Sequence, residues 1–445
     1  MSRFAFSRFA VSAAFFGFLM MFSSCARYSP SPLPATPDLA SVPALTVPAS
    51  EFMLPGLKPH SFSASGLDET SVVTLAVFND PMLKAARLQE GVASAQLFAA
   101  GLLPDPVVSA NFAESAVNYG GGLGLSQEIE ALRTRGAARA AAGAHVRQVR
   151  LNILWQEWQV AEKARELFIQ ARTDAELGSI LSASRDLLAR RYRQDRLALG
   201  KGNLTLGPAD ADLALLVQSE TNLRQVQLDA NLARQSLNQL LGLKPDARLH
   251  LIGPVSEPPL SPAKFKQALA SLPRRRADLL ALRAGYRSQE ETLREAILAQ
   301  FPALTAGVTL TRDPLEGLNA FGPAVTLSLP LFNRNRGQIA VARATRALLR
   351  QTYQARLDQA VGNAHEVWHA AAIMQSQLRD LDARLPVLKT AAEATERNLR
   401  EYKLNAGLYV NVESSYLAAE AKAVRLRASL ATAQSALEVL LGLRL

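Results

Sequence analysis

The sequence lacks features that mark several common classes of protein. Its 445 residues include one cysteine, which excludes a framework of disulfides within the chain. The five histidines and that cysteine form no Cys/His cluster, and no phosphate-binding loop is present, so we expect neither a cofactor nor a metal site in this subunit. No internal apolar run reaches the ~18 residues of a membrane-spanning helix. If this chain crosses a membrane, it must do so with strands.

Aromatic residues are also scarce. They make up 6% of the chain, whereas alanine, leucine, arginine and glutamine are abundant, and this composition favours long helices over a sheet-rich fold. The formal net charge of +10 would suit nucleic-acid binding. However, the basic residues are scattered among acids and glutamines, as on the solvated faces of long helices, and we expect no nucleic-acid partner.

The N-terminus has the layout of a secretory signal. Arg3 and Arg8 form a positive region, and the apolar stretch 9–22 that follows is too short for a stable span. The small residues Ser23 and Ser24 complete the pattern of a cleavable signal peptide.

The sequence FSSC, which ends at Cys25, resembles the bacterial lipoprotein cleavage box, although its first position is phenylalanine rather than leucine. This resemblance implies that residues 1–24 are removed and that Cys25 carries the acyl chains, such as palmitate. Ala26 then implies sorting to the outer membrane. The alternative is an ordinary signal peptide with an incidental cysteine. The segment 25–69 is rich in proline and serine, which predicts an extended, lipid-anchored tether.

The remainder of the chain contains one unit twice. LeuLeuGlyLeu occurs at 240–243 and at 440–443, and Gly207 and Gly407 open the helices that precede these two copies. Six positions in each helix are apolar at coiled-coil spacing. They are Leu223, Val226, Ala230, Ala233, Leu237 and Leu240, then Ala423, Leu426, Leu430, Ala433, Leu437 and Leu440. We expect repeat one at 70–260 and repeat two at 261–445.

Each repeat is predicted to contain a very long helix. Residues 137–199 contain no proline and would extend ~95 Å if unbroken. Glu157 interrupts the apolar seam of this helix once. The second long helix should start near Gly337, and Pro386 predicts a break or kink within it.

Four short segments have the alternating pattern of strands: 106–112, 121–129, 303–311 and 325–331. In the third, Leu304, Ala306, Val308 and Leu310 share one face, and threonines and a glycine share the other. This pattern suits a strand with lipid on one side and water on the other, or a half-buried hairpin of a soluble protein. Four strands cannot close a membrane barrel, since the smallest have ~8, so spanning strands would require several chains. The spacing leaves the copy number open.

The segments 328–344 (SLPLFNRNRGQIAVARA) and 125–142 (LSQEIEALRTRGAARAAA) resemble the TolC-like outer membrane factor family, the second being most similar to its CzcC-like metal-efflux branch. The family implies a mainly α fold with a small transmembrane β part. Two tandem repeats would give long antiparallel coiled-coil helices and four strands per chain. A homotrimer would close a twelve-stranded β-barrel on an α-helical barrel.

The resemblance also implies a function and partners. The chain would be a passive efflux duct in the outer membrane, in contact with lipid there, with its helical part in the periplasm. A periplasmic adaptor (membrane fusion) protein and an inner-membrane pump of the RND type would deliver the substrate. The pattern does not identify the cargo, and the subunit itself would not be an enzyme.

The periplasmic tip should consist of the helix-to-helix turns at 197–212 and 402–414. In the family, a gating acid lies six residues beyond the glycine of the second turn, a position that Glu413 occupies here. Tyr402 and Tyr409 are candidates to hold this tip closed. The matching position in repeat one is less clear, since Asp210 and Asp212 lie near it but out of register. Gly207, Gly407 and Leu408 are the candidates for adaptor docking. Glu413 could instead be an ordinary acid in the first turn of a helix.

Two alternatives belong to other classes of protein. His365, Glu366 and His369 fit the zinc-peptidase pattern of two histidines one turn apart with a glutamate base, and Glu393 is a possible third ligand. The other histidine interpretation is two side chains on a polar helix face. A lipid-anchored coiled coil without a pore is the remaining hypothesis.

Overall fold

The structure is a computed structural model, and it describes residues 28–41, 66–114, 119–255, 260–313, 316, 318–401 and 406–443. Two compact units are present, one ending at Leu39 and the other beginning at Ala40. In the first unit, residues 28–39 are irregular and exposed. The predicted signal peptide, Cys25 and Tyr402 lie outside the described residues, as does most of the predicted tether.

The second unit runs twice through the same order of elements: two helices, two strands and two further helices. The first series is α1 (Glu69–Asn79), α2 (Pro81–Ala100), β1 (Val107–Glu114), β2 (Tyr119–Glu128), α3 (Glu130–Gly200) and α4 (Leu206–Leu240). The second is α5 (Pro262–Arg275), α6 (Ala277–Leu298), β3 (Ala303–Arg312), β4 (Asn319–Ser328), α7 (Arg336–Arg400) and α8 (Ala406–Leu440). Among the described residues, no helix is both long and apolar enough to cross a membrane.

The helices that close the two series, α4 and α8, each have 35 residues and end at equivalent positions. Gly242 and Gly442 follow them with φ angles of 64° and 65°, the left-handed conformation that favours glycine. Both glycines also face a neighbouring backbone. A Cβ at Gly242 would lie 3.2 Å from the Asn79 carbonyl oxygen, and one at Gly442 would lie 3.1 Å from the Arg276 amide nitrogen.

The predicted long helix of repeat one is confirmed. Helix α3 runs unbroken for 71 residues, a length of ~105 Å at 1.5 Å per residue. Ile153, Ala164 and Leu167 of its predicted seam are buried. Glu157 is buried as well, with its side chain 1% exposed, because Arg87 of α2 donates to it over 2.8 Å.

Of the break or kink expected at Pro386, the break does not occur. Helix α7 continues through this residue from Arg336 to Arg400. Proline lacks an amide hydrogen and crowds the preceding turn, so it costs a helix a hydrogen bond. Pro386 lies on an exposed face, where water can satisfy the carbonyl that loses its partner. The Thr390 hydroxyl donates to the Pro386 carbonyl over 2.9 Å, which adds a side-chain contact one turn further on.

The four strands form one antiparallel sheet in the order β1-β2-β3-β4. Its two middle strands come from different repeats and pair along their length, with Leu125 opposite Val308. The sheet is therefore the element in which the two repeats share backbone hydrogen bonds.

The bounds of β4 differ from the prediction. The strand starts earlier, at Asn319, so residues 319–324, which lie before the predicted segment, are also paired with β3. It ends at Ser328, whereas the alternating pattern continues to Leu331. The reason is the partner strand: β3 begins at Ala303, directly after Pro302, and Ala303 pairs with Ser328. Residues beyond Ser328 have no strand opposite them on that side.

Separate apolar clusters hold the helices together along their length. Around the middle of α3, Val72 and Leu75 of α1 pack with Phe168 of α3 and Leu241 after α4. Towards the other end of α3, its leucines pack with α8, including Val410. The stability of this unit is therefore distributed along the helices.

Candidate functional site

The sheet has one apolar face, and that face is exposed. The strand register places apolar side chains of all four strands on this face: Val108, Phe112, Leu123, Leu125, Val308, Leu310, Phe321, Val325 and Leu327. Phe112 is 92% exposed and Phe321 is 74% exposed. A contiguous apolar surface of this kind marks a site that contacts lipid or another protein.

The opposite face of the sheet is lined by small and polar residues. It carries Ser109, Asn111, Gly122, Gly124, Ser126, Thr305, Gly307, Thr309 and Thr311. At Gly307 a side chain cannot fit, because a Cβ would overlap the carbonyl oxygen of Leu125. The predicted division of the strands into an apolar and a small polar face is confirmed.

Both edges of the sheet are open. Strands β1 and β4 each pair on one side only within the described part of the chain. Their outer backbone N–H and C=O groups can therefore accept a further strand. In lipid an open edge would cost several kcal/mol for each unpaired group, so such a sheet requires completion by other strands.

The other candidate region, which we call the tip, consists of the α3–α4 and α7–α8 turns. Gly202 makes the first turn with a φ of 72°, and Gly207 and Gly407 are the second residues of α4 and α8. Leu408 is 49% exposed, and Leu206, which the sequence analysis did not single out, is 65% exposed. The tip thus presents apolar side chains at the start of both return helices.

Glu413 lies half-buried in α8, beside acids of both helices of its hairpin. Burial raises the pKa of Glu413, and the charges of Glu396 and Glu420 raise it further. Burial likewise raises the pKa of Tyr409, and the nearby Glu413 and Glu396 reinforce this shift. The structure therefore places Glu413 and Tyr409 near each other on α8, and their role as a gate stays a prediction. The third gate candidate, Tyr402, is not among the described residues.

Repeat one places a different acid at the tip. Asp212 of α4 is buried and accepts a hydrogen bond from the Arg191 guanidinium over 2.6 Å. Arg191 also donates to the Asn411 side chain of α8 over 3.0 Å, so it links three helices and both repeats. Asp195 completes the cluster, and its hydrogen bond with Asp212, burial and the Asp212 charge raise its pKa to about 6.

Sequence reasoning noted Asp212 but missed Arg191 and Asn411. The spacing of Arg191 and Asp195 by one helical turn was the available signal. The contact with Asn411 joins residues far apart in sequence, and no local pattern predicts it.

The structure does not assemble the predicted zinc-peptidase site. The rings of His365 and His369 lie 6.1 Å apart on α7, and Phe265 of α5 stacks on the intervening Trp368 at 4.4 Å. Glu393 cannot be a third ligand, because α7 is continuous and places it ~36 Å along the helix from His369. Among the described residues, no group of three or more metal-binding side chains is present.

The architecture of the chain is similar to that of solved outer membrane channels. The chain is similar to the CmeC outer membrane channel of Campylobacter jejuni, with a TM-score of 0.68, 16% identity and coverage of 90% of this chain and 94% of that one. The chain has an outer membrane channel fold. The open-state MtrE channel of Neisseria gonorrhoeae shares that fold with a TM-score of 0.68, 15% identity and coverage of 89% and 98%.

A third structure with the channel fold is the outer membrane protein VceC of Vibrio cholerae. Its TM-score is 0.67 and its identity 18%, with 84% of this chain and 96% of that chain covered. No protein-family model matches the sequence. No curated protein matches it by sequence either. At these identities the likeness shows the fold, and the expected TolC-like architecture of helices and four strands is confirmed.

Proposed function

We propose that this chain is one subunit of a homotrimeric outer-membrane channel that passively conducts efflux substrates. The sheet carries the proposal, since its apolar face is exposed and both of its edges are open. Lipid would cover the apolar face, and strands of sister chains would pair with the edges. Three chains would supply twelve strands, which exceeds the ~8 of the smallest membrane barrels.

The helical part would extend into the periplasm as a duct, with Cys25 as a lipid anchor in the outer membrane. A periplasmic adaptor protein and an inner-membrane pump, of the RND type that the family resemblance implies, would supply substrate and energy. The exposed Leu206 and Leu408, beside Gly207 and Gly407, support docking of the adaptor at the tip, because apolar side chains on a terminal surface favour a protein contact.

The tip would also be the gate. Three copies of Glu413 would form a ring of carboxylates that attracts cations and resists close approach. Arg191 would hold the tip closed through Asp212 and Asn411, because these contacts tie α3, α4 and α8 together. The solved open state of the MtrE channel supports the idea that a channel of this fold can open.

Planar-bilayer recordings of the purified full-length protein test this proposal. We expect stepwise, small conductances from the native protein and larger, longer openings from Arg191→Ala, because that substitution removes both tip contacts. The matched control is Arg185→Ala, in the same helix, whose guanidinium pairs with the adjacent Asp186 over 3.0 Å. Chemical cross-linking in detergent should give a trimer.

A protein that stays monomeric and produces no steps would overturn the channel proposal. Conductance that is identical in the native protein and Arg191→Ala would leave the channel in place and refute the tip as its gate. No contact in the described part of the chain favours the peptidase alternative.

A further inference from the structure

A groove of about 800 Å³ runs between α3, α4, α7 and α8, away from the tip and the sheet. Apolar side chains line much of it, among them Ile169, Leu177, Val226 and Met374. Four acids also line it: Glu166, Asp174, Asp229 and Glu366. This volume falls within the ~300–1,000 Å³ of drug-sized ligand sites, and mixed apolar and charged walls are typical of such sites.

Asp174 is the acid that the fold leaves unsatisfied. Its residue is 8% exposed, and its Oδ2 atom is buried without a hydrogen-bond partner among the described residues. A buried carboxylate oxygen without a partner lowers the stability of the fold, because its hydrogen bonds to water are lost and no hydrogen bond within the protein replaces them. Burial, and then the charge of Asp229, raise the pKa of Asp174 to about 6, and Arg425 opposes this shift.

The remaining charges leave the groove acidic. Glu166 is paired with Lys163 at 2.9 Å, so three carboxylates face the single guanidinium of Arg425. Asp229 accepts a hydrogen bond from Gln225 of its own helix over 3.0 Å, which fixes its orientation without neutralising it. A ligand with a positive charge would relieve the repulsion between Asp174 and Asp229.

The groove opens on the side of α3 away from the segment that links the repeats. Arg172 donates to the Leu251 carbonyl of that linking segment over 3.2 Å. Asp174 follows two residues later, and at 100° per residue it lies ~160° around the helix from Arg172.

We propose that this groove binds amphipathic organic cations, with Asp174 and Asp229 accepting the N–H groups of the ligand and the apolar walls holding its body. A metal ion is a poorer match, because no set of three metal-binding side chains occurs in the described part of the chain. An aromatic or aliphatic amine satisfies both parts of the groove, since its charge meets the carboxylates and its carbon skeleton meets Ile169, Val226 and Met374.

Fluorescence anisotropy of ethidium, an aromatic cation, with the detergent-solubilised full-length protein tests this site. Asp174→Asn and Asp229→Asn should each weaken binding by about tenfold, because each removes a charge that contacts the ligand. The control is Asp186→Asn, a loss of the same charge from the same helix at an exposed position outside the groove, which should bind like the native protein.

Arg425→Gln should change the affinity for ethidium in the opposite direction. Arg425 is exposed and competes with the ligand for the carboxylates, so its removal should tighten ethidium binding several-fold. Equal affinity in the native protein, Asp174→Asn, Asp229→Asn and Arg425→Gln would overturn the inference.

The same preparations in planar bilayers separate this inference from the proposed function. A conducting protein whose groove variants bind ethidium equally would refute the cation site and leave the channel intact. Altered binding in the expected directions supports the cation site whether or not the protein conducts, and a protein without conductance would refute the channel alone.

Discussion

The two long helices, α3 of repeat one and α7 of repeat two, are similar in length but differ in what they bury. Helix α3 buries large apolar residues along its length together with Glu157, Thr173 and Asp174. The described buried residues of α7 are one isoleucine and five alanines. A helix with so few buried residues has one face free of its own chain. Helix α3 is therefore the central helix of the subunit, whereas α7 has a face that a sister subunit can cover.

The polar contacts of the repeats have diverged in the same way. Arg87 and Arg283 each donate to the carbonyl ten residues earlier, Val77 and Pro273 respectively. Only Arg87 also meets a buried carboxylate, that of Glu157. Arg283 instead lies 3.4 Å from the Tyr353 hydroxyl of α7. Both repeats keep the contact of the arginine with a backbone carbonyl. The side-chain partner of the arginine differs, because a different long helix lies opposite it in each repeat.

The largest expected effect concerns this pair of arginines. Arg87→Met should lower the free energy of unfolding by about 3–5 kcal/mol, because it leaves Glu157 buried without its partner. Arg283→Met is the matched control and should cost under about 1 kcal/mol, since Arg283 is exposed and its partners are only half-buried. Thermal unfolding in detergent measures both. Equal losses would contradict the view that α3 is the buried helix.

The second prediction uses pH and another acid of α3. Burial raises the pKa of Glu162 to about 7; the Ser435 hydroxyl and Arg165 oppose this, whereas Glu166 and Glu438 reinforce it. Its folded pKa exceeds the ordinary 4.5, so its favourable contribution is complete below pH 4.5 and is lost as the pH rises through 7. Glu162→Gln should therefore stabilise the protein at pH 8, by at most about 3 kcal/mol.

Thermal unfolding at pH 5 and pH 8 measures this difference. The substitution should change the melting temperature much less at pH 5, where the native glutamate is protonated in the folded chain. A variant that is equally stabilised, or equally destabilised, at both values would show that the Glu162 carboxyl does not titrate in this range. Glu176→Gln, at an exposed position of the same helix, serves as the control for loss of a carboxylate.

The smallest expected effect concerns the ends of α4 and α8, where the two repeats have the same structure. Gly242→Ala and Gly442→Ala should each cost about 1–2 kcal/mol, because an alanine at these φ angles is strained and its Cβ would crowd a neighbouring backbone. The two losses should be equal within error. Gly136→Ala, in a helix interior with open space around it, should be neutral or slightly stabilising. Unequal losses would mean that the two helix ends are not equivalent.

The sequence predicted those features that depend on local periodicity. The 200-residue offset of LeuLeuGlyLeu predicted helices that end at equivalent residues, and alternation predicted which face of β3 is apolar. The end of β4 could not be predicted, because it depends on where β3 begins across the sheet. The continuity of α7 through Pro386 could not be predicted, since local rules do not reveal that its face of α7 is exposed.

The residues of the candidate site also differ in whether the sequence alone could predict them. Glu413 and Tyr409 could be identified from the local sequence, because they lie on one helix close to Gly407. The cluster of Arg191, Asp212 and Asn411 was not, because its members meet only when both hairpins are folded. The Asp174 groove requires four helices, and in the sequence Asp174 is simply one more acid on an amphipathic helix.

The pairing of β2 with β3 has a consequence for how the protein is made. If the chain is exported, as the proposed function requires, its N-terminal half emerges first, yet β2 lacks its β3 partner until Arg312, which pairs with Gly121, has also been translocated. Contacts so distant in sequence form slowly. An exported chain would therefore hold an incomplete sheet, with β2 paired only to β1, until its second half arrives.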